Sequence, residues 1–215
     1  MPSWLKEGRG SLCGANVSLL LREMGITKPL LVAGERTKNV FFARTGMRLP
    51  VFDAFHPNPD LQDCVAGAAL YQEKGCDGLI SIGGGSAMDT AKGIKALLMT
   101  DIAHVRANQL PSEGNVPHLA IPGTAGTGAE TTAVAVLYEN GQKLSVDHLA
   151  LLPDGVLLDG SLLDTLPEYH RKSCAMDALA QGIESWWAKK ATPGSRIHAE
   201  RAIRGVLDNL TAYLQ

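Results

Sequence analysis

Three consecutive glycines, Gly83-Gly84-Gly85, directly follow the apolar run Leu79-Ile80-Ser81-Ile82 and directly precede a helix-forming stretch. A strand that runs into a glycine turn and out into a helix is half of a β-α-β unit. Parallel strands can be rejoined only through a crossover, so this feature commits the chain to alternating strands and helices. The residues on either side obey that demand. Residues 16–24 place Val17, Leu20, Leu21 and Met24 on one helical face and stop at Gly25, and residues 30–33 read as a buried strand. Residues 49–52 form a second strand, 60–74 a helix closed by Gly75, 78–82 a third strand, 86–99 a helix, and 118–121 a strand ended by Pro122.

Beyond Ala133 the pattern changes. Residues 133–138 and 143–146 flank Asn140-Gly141, a hairpin signature, and 156–159 supply one more strand. From Leu162 to Gln215 the text is helical, with Pro167 ahead of one long helix and Thr192-Pro193-Gly194 separating it from the next. The expected class is α/β. A parallel-sheet domain over residues 1–160 is followed by the start of an all-helical domain over residues 161–215. So short a helical stretch cannot bury the apolar faces of two helices, and the second domain reads as C-terminally truncated, with a face suited to self-association.

Composition narrows the partners. Among 215 residues, 20 basic and 22 acidic side chains leave a net charge of −2, with no basic field for nucleic acid or an anionic membrane. Cys13, Cys64, Cys76 and Cys174 include no Cys-x-x-Cys pair and read as reduced, mostly buried thiols. Residues 1–9 lack the apolar core of a signal peptide, and no run reaches membrane-spanning length, so the expected compartment is the cytoplasm.

The glycine run lets the backbone turn tightly and approach a ligand closely, while the N-terminus of the next helix attracts phosphate. Ser86 and Asp89 at capping-box spacing fit equally well a plain capped helix after a turn. The second small-residue loop, Pro122-Gly123-Thr124-Ala125-Gly126-Thr127-Gly128-Ala129-Glu130, also ends a strand. Two such loops on one rim of a parallel sheet favour a nucleotide crevice over a mere connection.

With Gly83-Gly84-Gly85-Ser86, Asp89, Ala91 and Lys92, the Pro122 to Glu130 loop, and Met176-Asp177-Ala178-Leu179-Ala180-Gln181-Gly182-Ile183-Glu184-Ser185, the chain resembles the iron-containing alcohol dehydrogenases. That resemblance implies a metal-dependent alcohol dehydrogenase or aldehyde reductase that passes hydride between NAD(P)H and a small aldehyde. It implies that Gly83, Gly84, Gly85, Ser86 and Asp89 serve the pyrophosphate and that Thr124 and Thr127 line the cofactor. Lys143 would sit beside the nicotinamide or substrate, and Asp177 and Gln181 would be ligands to Fe2+ or Zn2+.

There are departures. The family loop carries a threonine and a serine where Gly123 and Ala129 stand, and a histidine where Gln181 stands. Its two remaining histidine ligands are expected beyond Gln215. Isolated His170 and His198 are not assigned in their place. Gln181, the Trp186-Trp187 pair and the stretch from Lys143 to His148 resemble the phosphonoacetaldehyde reductase branch, and at least one of the two tryptophans is expected in the core. Lys143 and His148 are the cations offered to a dianionic substrate, with solvent exposure the plainer reading of His148. Gly34 occupies the place where an acid would accept the adenosine ribose hydroxyls. With Arg36 and Lys38 nearby the reading leans to NADPH, against Glu35 one residue away. The expected partners are a small aldehyde or alcohol and further copies of the chain. The competing readings are another dehydrogenase of the superfamily, glycerol dehydrogenase-like, and a non-catalytic nucleotide-binding remnant.

Overall fold

The computed structural model describes residues 5–112 and 116–214. Residues 1–4, part of the N-terminal reading above, and Gln215 lie outside the described residues. The chain divides into two compact units. One runs through Gly123 and resumes over Ala129–Gly160; the other joins Thr124–Gly128 to the chain from Ser161 on.

In the first unit, strands β1 (Leu5–Glu7), β2 (Pro29–Ala33), β3 (Val51–Phe52), β4 (Gly78–Gly83), β5 (His118–Pro122) and β8 (Gly155–Leu158) form one sheet. Its order is β1-β8-β5-β4-β2-β3, and every pairing is parallel. Every residue of β2 and β4 is buried, as expected of strands covered on both faces by crossover helices. Those helices are α1 (Gly14–Glu23), α2 (Glu35–Thr45), α3 (Leu61–Lys74) and α4 (Gly85–Met99), with the short α5 (Ile102–Arg106) after α4. The hairpin β6 (Val134–Glu139) and β7 (Gln142–Asp147) pairs antiparallel as a second sheet. Its Ala135, Leu137 and Val146 join Leu61, Cys64, Leu79, Ala91 and Ile94 in one core cluster. Burial of this continuous apolar surface is the main favourable term holding the unit.

The second unit is built on α6 (Glu168–Trp187) and α7 (Pro193–Leu214). The two helices carry few buried residues: Ala175 and Gly182 on α6 and Ala199 on α7. Trp186 and Trp187 are 51% and 68% exposed, so neither is core, contrary to the expectation from their adjacency.

Of the strands and α-helices just named, three escaped the sequence reading. Helix α2 buries only Thr37 and Phe41, so no apolar stripe marks it among Glu35, Arg36, Lys38 and Arg44. Strand β1 is short and half exposed, and α5 begins from an Asp101 cap whose carboxylate accepts from the amides of Ala103 and His104. The cysteines are also more open than expected: Cys64 alone is buried, whereas Cys13, Cys76 and Cys174 are partly exposed, and all four are free thiols. Among the described residues no helix is long and apolar enough to cross a membrane.

Candidate functional site

The chain reverses its direction across the sheet between β2 and β4. From β2 it steps outward to β3, returns to β4 on the other side of β2, and then proceeds to β5 and β8. Such a switch point opens a crevice at the carboxyl ends of the strands, and two helices begin there. Gly34 is the N-cap of α2, directly after β2, and Gly84 is the N-cap of α4, directly after β4. Neither helix has a side-chain cap, so no side chain competes with an external anion for these first-turn amides.

The capping box expected at Ser86 and Asp89 is not formed. Helix α4 starts one residue earlier, at Gly85, and the Ser86 hydroxyl donates instead to the carbonyl of Pro57. A capping box forms at α3, where Asp60 and Asp63 cap reciprocally.

The two small-residue stretches meet at the rim. Gly123 N–H donates to Gly83 O over 2.7 Å, and a Cβ on Gly123 would lie 3.3 Å from Gly83 Cα. Gly83 has φ +149, where side chains are rarely found, and a Cβ there would sit 3.1 Å from that of Ala87. The Thr37 hydroxyl reaches Ile82 O at 3.0 Å and Gly34 O at 3.1 Å, tying the first turn of α2 to the end of β4. Sequence reasoning missed Thr37 because a threonine in a polar stretch carries no periodic signal.

Lys92, two turns into α4, is fully buried. Its ammonium donates to Ala129 O at 2.7 Å, Thr132 O at 2.8 Å, Val134 O at 2.8 Å and Thr132 Oγ1 at 3.0 Å. Burial pulls its pKa down to about 8, opposed by the nearby carboxylates of Asp89 and Glu130. Lys92 therefore fixes the segment entering β6.

Asp89, half-buried beside it, is pushed up to about 6 by desolvation, against Lys92 and the Val136 N–H that it accepts. The folded chain thus holds this proton more tightly than the unfolded chain, whose ordinary value is 3.8. Between those two values stability falls as pH rises. We expect the wild type to lose about 1–3 kcal/mol relative to Asp89→Asn from roughly pH 4 to pH 6. Urea unfolding of both proteins across that range reads it, and a flat difference refutes the assignment.

Lys143 is exposed on β7, opposite Tyr138 in the hairpin, a different sheet from that carrying the glycine run. His148 is partly buried and its Nδ1 accepts from the amide of Ala150, capping a 3-10 turn.

In the second unit, Thr124–Gly128 lies against α6: a Cβ on Gly126 would sit 3.0 Å from Cys174 Cα and 3.2 Å from Asp177 Oδ2. Thr124 is half-buried and Thr127 exposed. Asp177 and Gln181 are brought together, four residues apart on α6. The Gln181 amide nitrogen donates to Asp177 Oδ1 at 3.0 Å and to Gly126 O at 3.4 Å. A catalytic metal usually takes three protein ligands. Among the described residues no group of three or more His, Cys, Asp or Glu side chains converges. Asp177 and Gln181 fit part of a metal site and not a whole one, so no step through a metal follows from these residues.

The sequence profile of the iron-containing alcohol dehydrogenases matches residues 2–160, most of the chain. The chain belongs to the iron-containing alcohol dehydrogenase family. Among curated members of this family, it is 36% identical over 174 residues to the probable alcohol dehydrogenase EutG of Escherichia coli K12, covering 79% of this chain and 41% of that protein. It is 31% identical over 214 residues to the NAD-dependent methanol dehydrogenase of Bacillus methanolicus, covering 92% of this chain and 54% of that protein. Among solved structures, sulfoacetaldehyde reductase from Bifidobacterium kashiwanohense in complex with NAD+ superposes with a TM-score of 0.88 at 28% identity. That alignment covers 99% of this chain and 59% of the other. The chain thus spans about half the length of the curated relatives it matches.

Proposed function

We propose that the α/β unit binds a nicotinamide dinucleotide across the Gly83-Gly84-Gly85 turn, and that the protein is an alcohol and aldehyde oxidoreductase. The observation that carries this reading is the close-packed glycine turn at the β2–β4 switch point, leading into a helix with no side-chain cap. The amides of Gly84 and Gly85 face the pyrophosphate, and Gly34 and Thr37 shape the wall on the β2 side. Ser86 and Asp89 belong to the supports of this turn, through Pro57 and Lys92, more than to the ligand. When bound, the nicotinamide supplies or takes the hydride. Thr124 and Thr127 are assigned to the cofactor and Lys143 to the nicotinamide or substrate. Asp177 with Gln181 gives two donors toward a divalent metal, Fe2+ or Zn2+, that needs others.

For the substrate we assign a small aldehyde carrying an anionic group, phosphonoacetaldehyde being the specific candidate. The exposed Lys143 ammonium supports it, as does similarity to a reductase named for sulfoacetaldehyde. A second reading is nucleotide binding without turnover by this chain alone, which the two-donor pair favours.

One experiment separates them. NADH and NADPH binding is titrated by calorimetry, then reduced-nicotinamide consumption is followed with phosphonoacetaldehyde, sulfoacetaldehyde or acetaldehyde, with and without Fe2+ or Zn2+. Metal-dependent turnover fastest on an anionic aldehyde supports the first reading. Binding without turnover supports the second, and absence of binding refutes both.

A further inference from the structure

The first turn of α2 carries an ion triad. Lys38 Nζ lies 2.6 Å from Glu35 Oε2 and 2.7 Å from Asp53 Oδ2, and Glu35 Oε1 accepts from the Asn39 amide at 3.1 Å. The Lys38 side chain is only 19% exposed, against 75% for Glu35 and 42% for Asp53. The lysine is thus covered while the carboxylates face solvent.

The triad's place in the fold is fixed by three contacts. Gly34 follows β2, whose Ala33 pairs with Ile82 of β4, one residue before the glycine turn. Asp53 follows Phe52 of β3, which pairs with Val32 of β2. Thr37, between Glu35 and Lys38, is bonded to Ile82 O. The triad therefore stands on the same rim as the glycine turn, displaced toward β3 and away from β5. A dinucleotide whose pyrophosphate lies on the turn extends in both directions along this rim. In open α/β sheets the adenosine ribose is read by an acid at the end of the strand next to the glycine turn. That strand is β2, and the residue directly after it, Gly34, has no side chain.

We propose that the Glu35–Lys38–Asp53 triad reads the adenosine ribose in place of the missing acid at Gly34 and makes this chain select NADH over NADPH. The inference rests on the nucleotide-binding reading above. The two carboxylates outnumber the ammonium, so a ribose 2′-hydroxyl finds acceptors there while a 2′-phosphate meets net negative charge. Of the two cations that recommend NADPH on sequence grounds, Arg36 and Lys38, it is Lys38 that is already committed to Glu35 and Asp53. It holds both acceptors in place and is a positioning group, not a phosphate ligand.

The test is calorimetric binding of NADH and NADPH to the full chain and to Asp53→Asn with Glu35→Gln, and separately to Lys38→Met. Glu35 and Asp53 face solvent and Lys38 is partly buried, and circular dichroism checks the fold of each variant. The wild type should bind NADH at least about tenfold tighter than NADPH, and the double neutral variant should shrink that ratio by about tenfold or more, as expected when like charge is removed from an anion's path. Lys38→Met should widen the ratio. A wild type that prefers NADPH, or a Lys38→Met variant that loses NADPH selectively, makes Lys38 a phosphate ligand and overturns the proposal. Equal affinities in all variants also overturn it while leaving nucleotide binding intact. Failure of both nucleotides to bind defeats the nucleotide-binding reading itself and this inference with it.

Discussion

Replacing Lys92 by methionine lowers the unfolding free energy by about 3–5 kcal/mol. The methionine fills most of the volume, so the loss isolates the ammonium. Three carbonyls, from Ala129, Thr132 and Val134, and the Thr132 hydroxyl lose a shared charged donor inside the fold. Each buried acceptor left unmatched costs on the order of 1–3 kcal/mol, and Asp89 loses its neighbouring positive charge. Arginine does not restore the loss, because a planar fork cannot converge on acceptors arranged around a single point. Urea unfolding monitored by circular dichroism provides the number. A loss under about 1 kcal/mol would show that the segment entering β6 is held by something other than this lysine.

The second large effect is on ligand binding. Gly83→Val should weaken NADH binding by at least about a hundredfold, roughly 3 kcal/mol. Valine at φ +149 is strained, and its side chain would press on Ala87 Cβ and approach the Thr37 hydroxyl. Either the turn opens or the new methyl groups occupy the approach to the pyrophosphate. Thermal unfolding, run alongside, confirms that the titrated protein is folded. Affinity within threefold of wild type would move the pyrophosphate away from this turn.

How much of this was legible in the sequence depends on range. Strands β2, β4 and β5 are dominated by apolar residues, with Ser81 inside β4 and His118 at the head of β5, and α1 and α3 end at Gly25 and Gly75, so local chemistry alone discloses them. The glycine turn and the Asp177/Gln181 spacing are likewise local, and the structure puts that pair within hydrogen-bond reach. What was hidden is what depends on a distant partner. Lys92 looks like any solvent-facing lysine of a helix until residues 129–134 wrap around its end. Lys38 looks like a free cation until Asp53, from the next strand, is placed beside it. Ser86 illustrates the converse: its spacing to Asp89 matched a cap, but the helix began at Gly85 and the hydroxyl found Pro57. Helix α2 was invisible because its two buried residues, Thr37 and Phe41, do not make a stripe.

The strand at the β3 side of the parallel sheet consists of Val51 and Phe52 alone, preceded by Pro50, with Pro57 and Pro59 close behind. An incoming foreign strand aligned on this margin would find a backbone template only two residues long, flanked by prolines that cannot donate. Fibril-like growth by strand addition is thereby discouraged on this side, and the charge of Asp53, next to Phe52, adds to the effect.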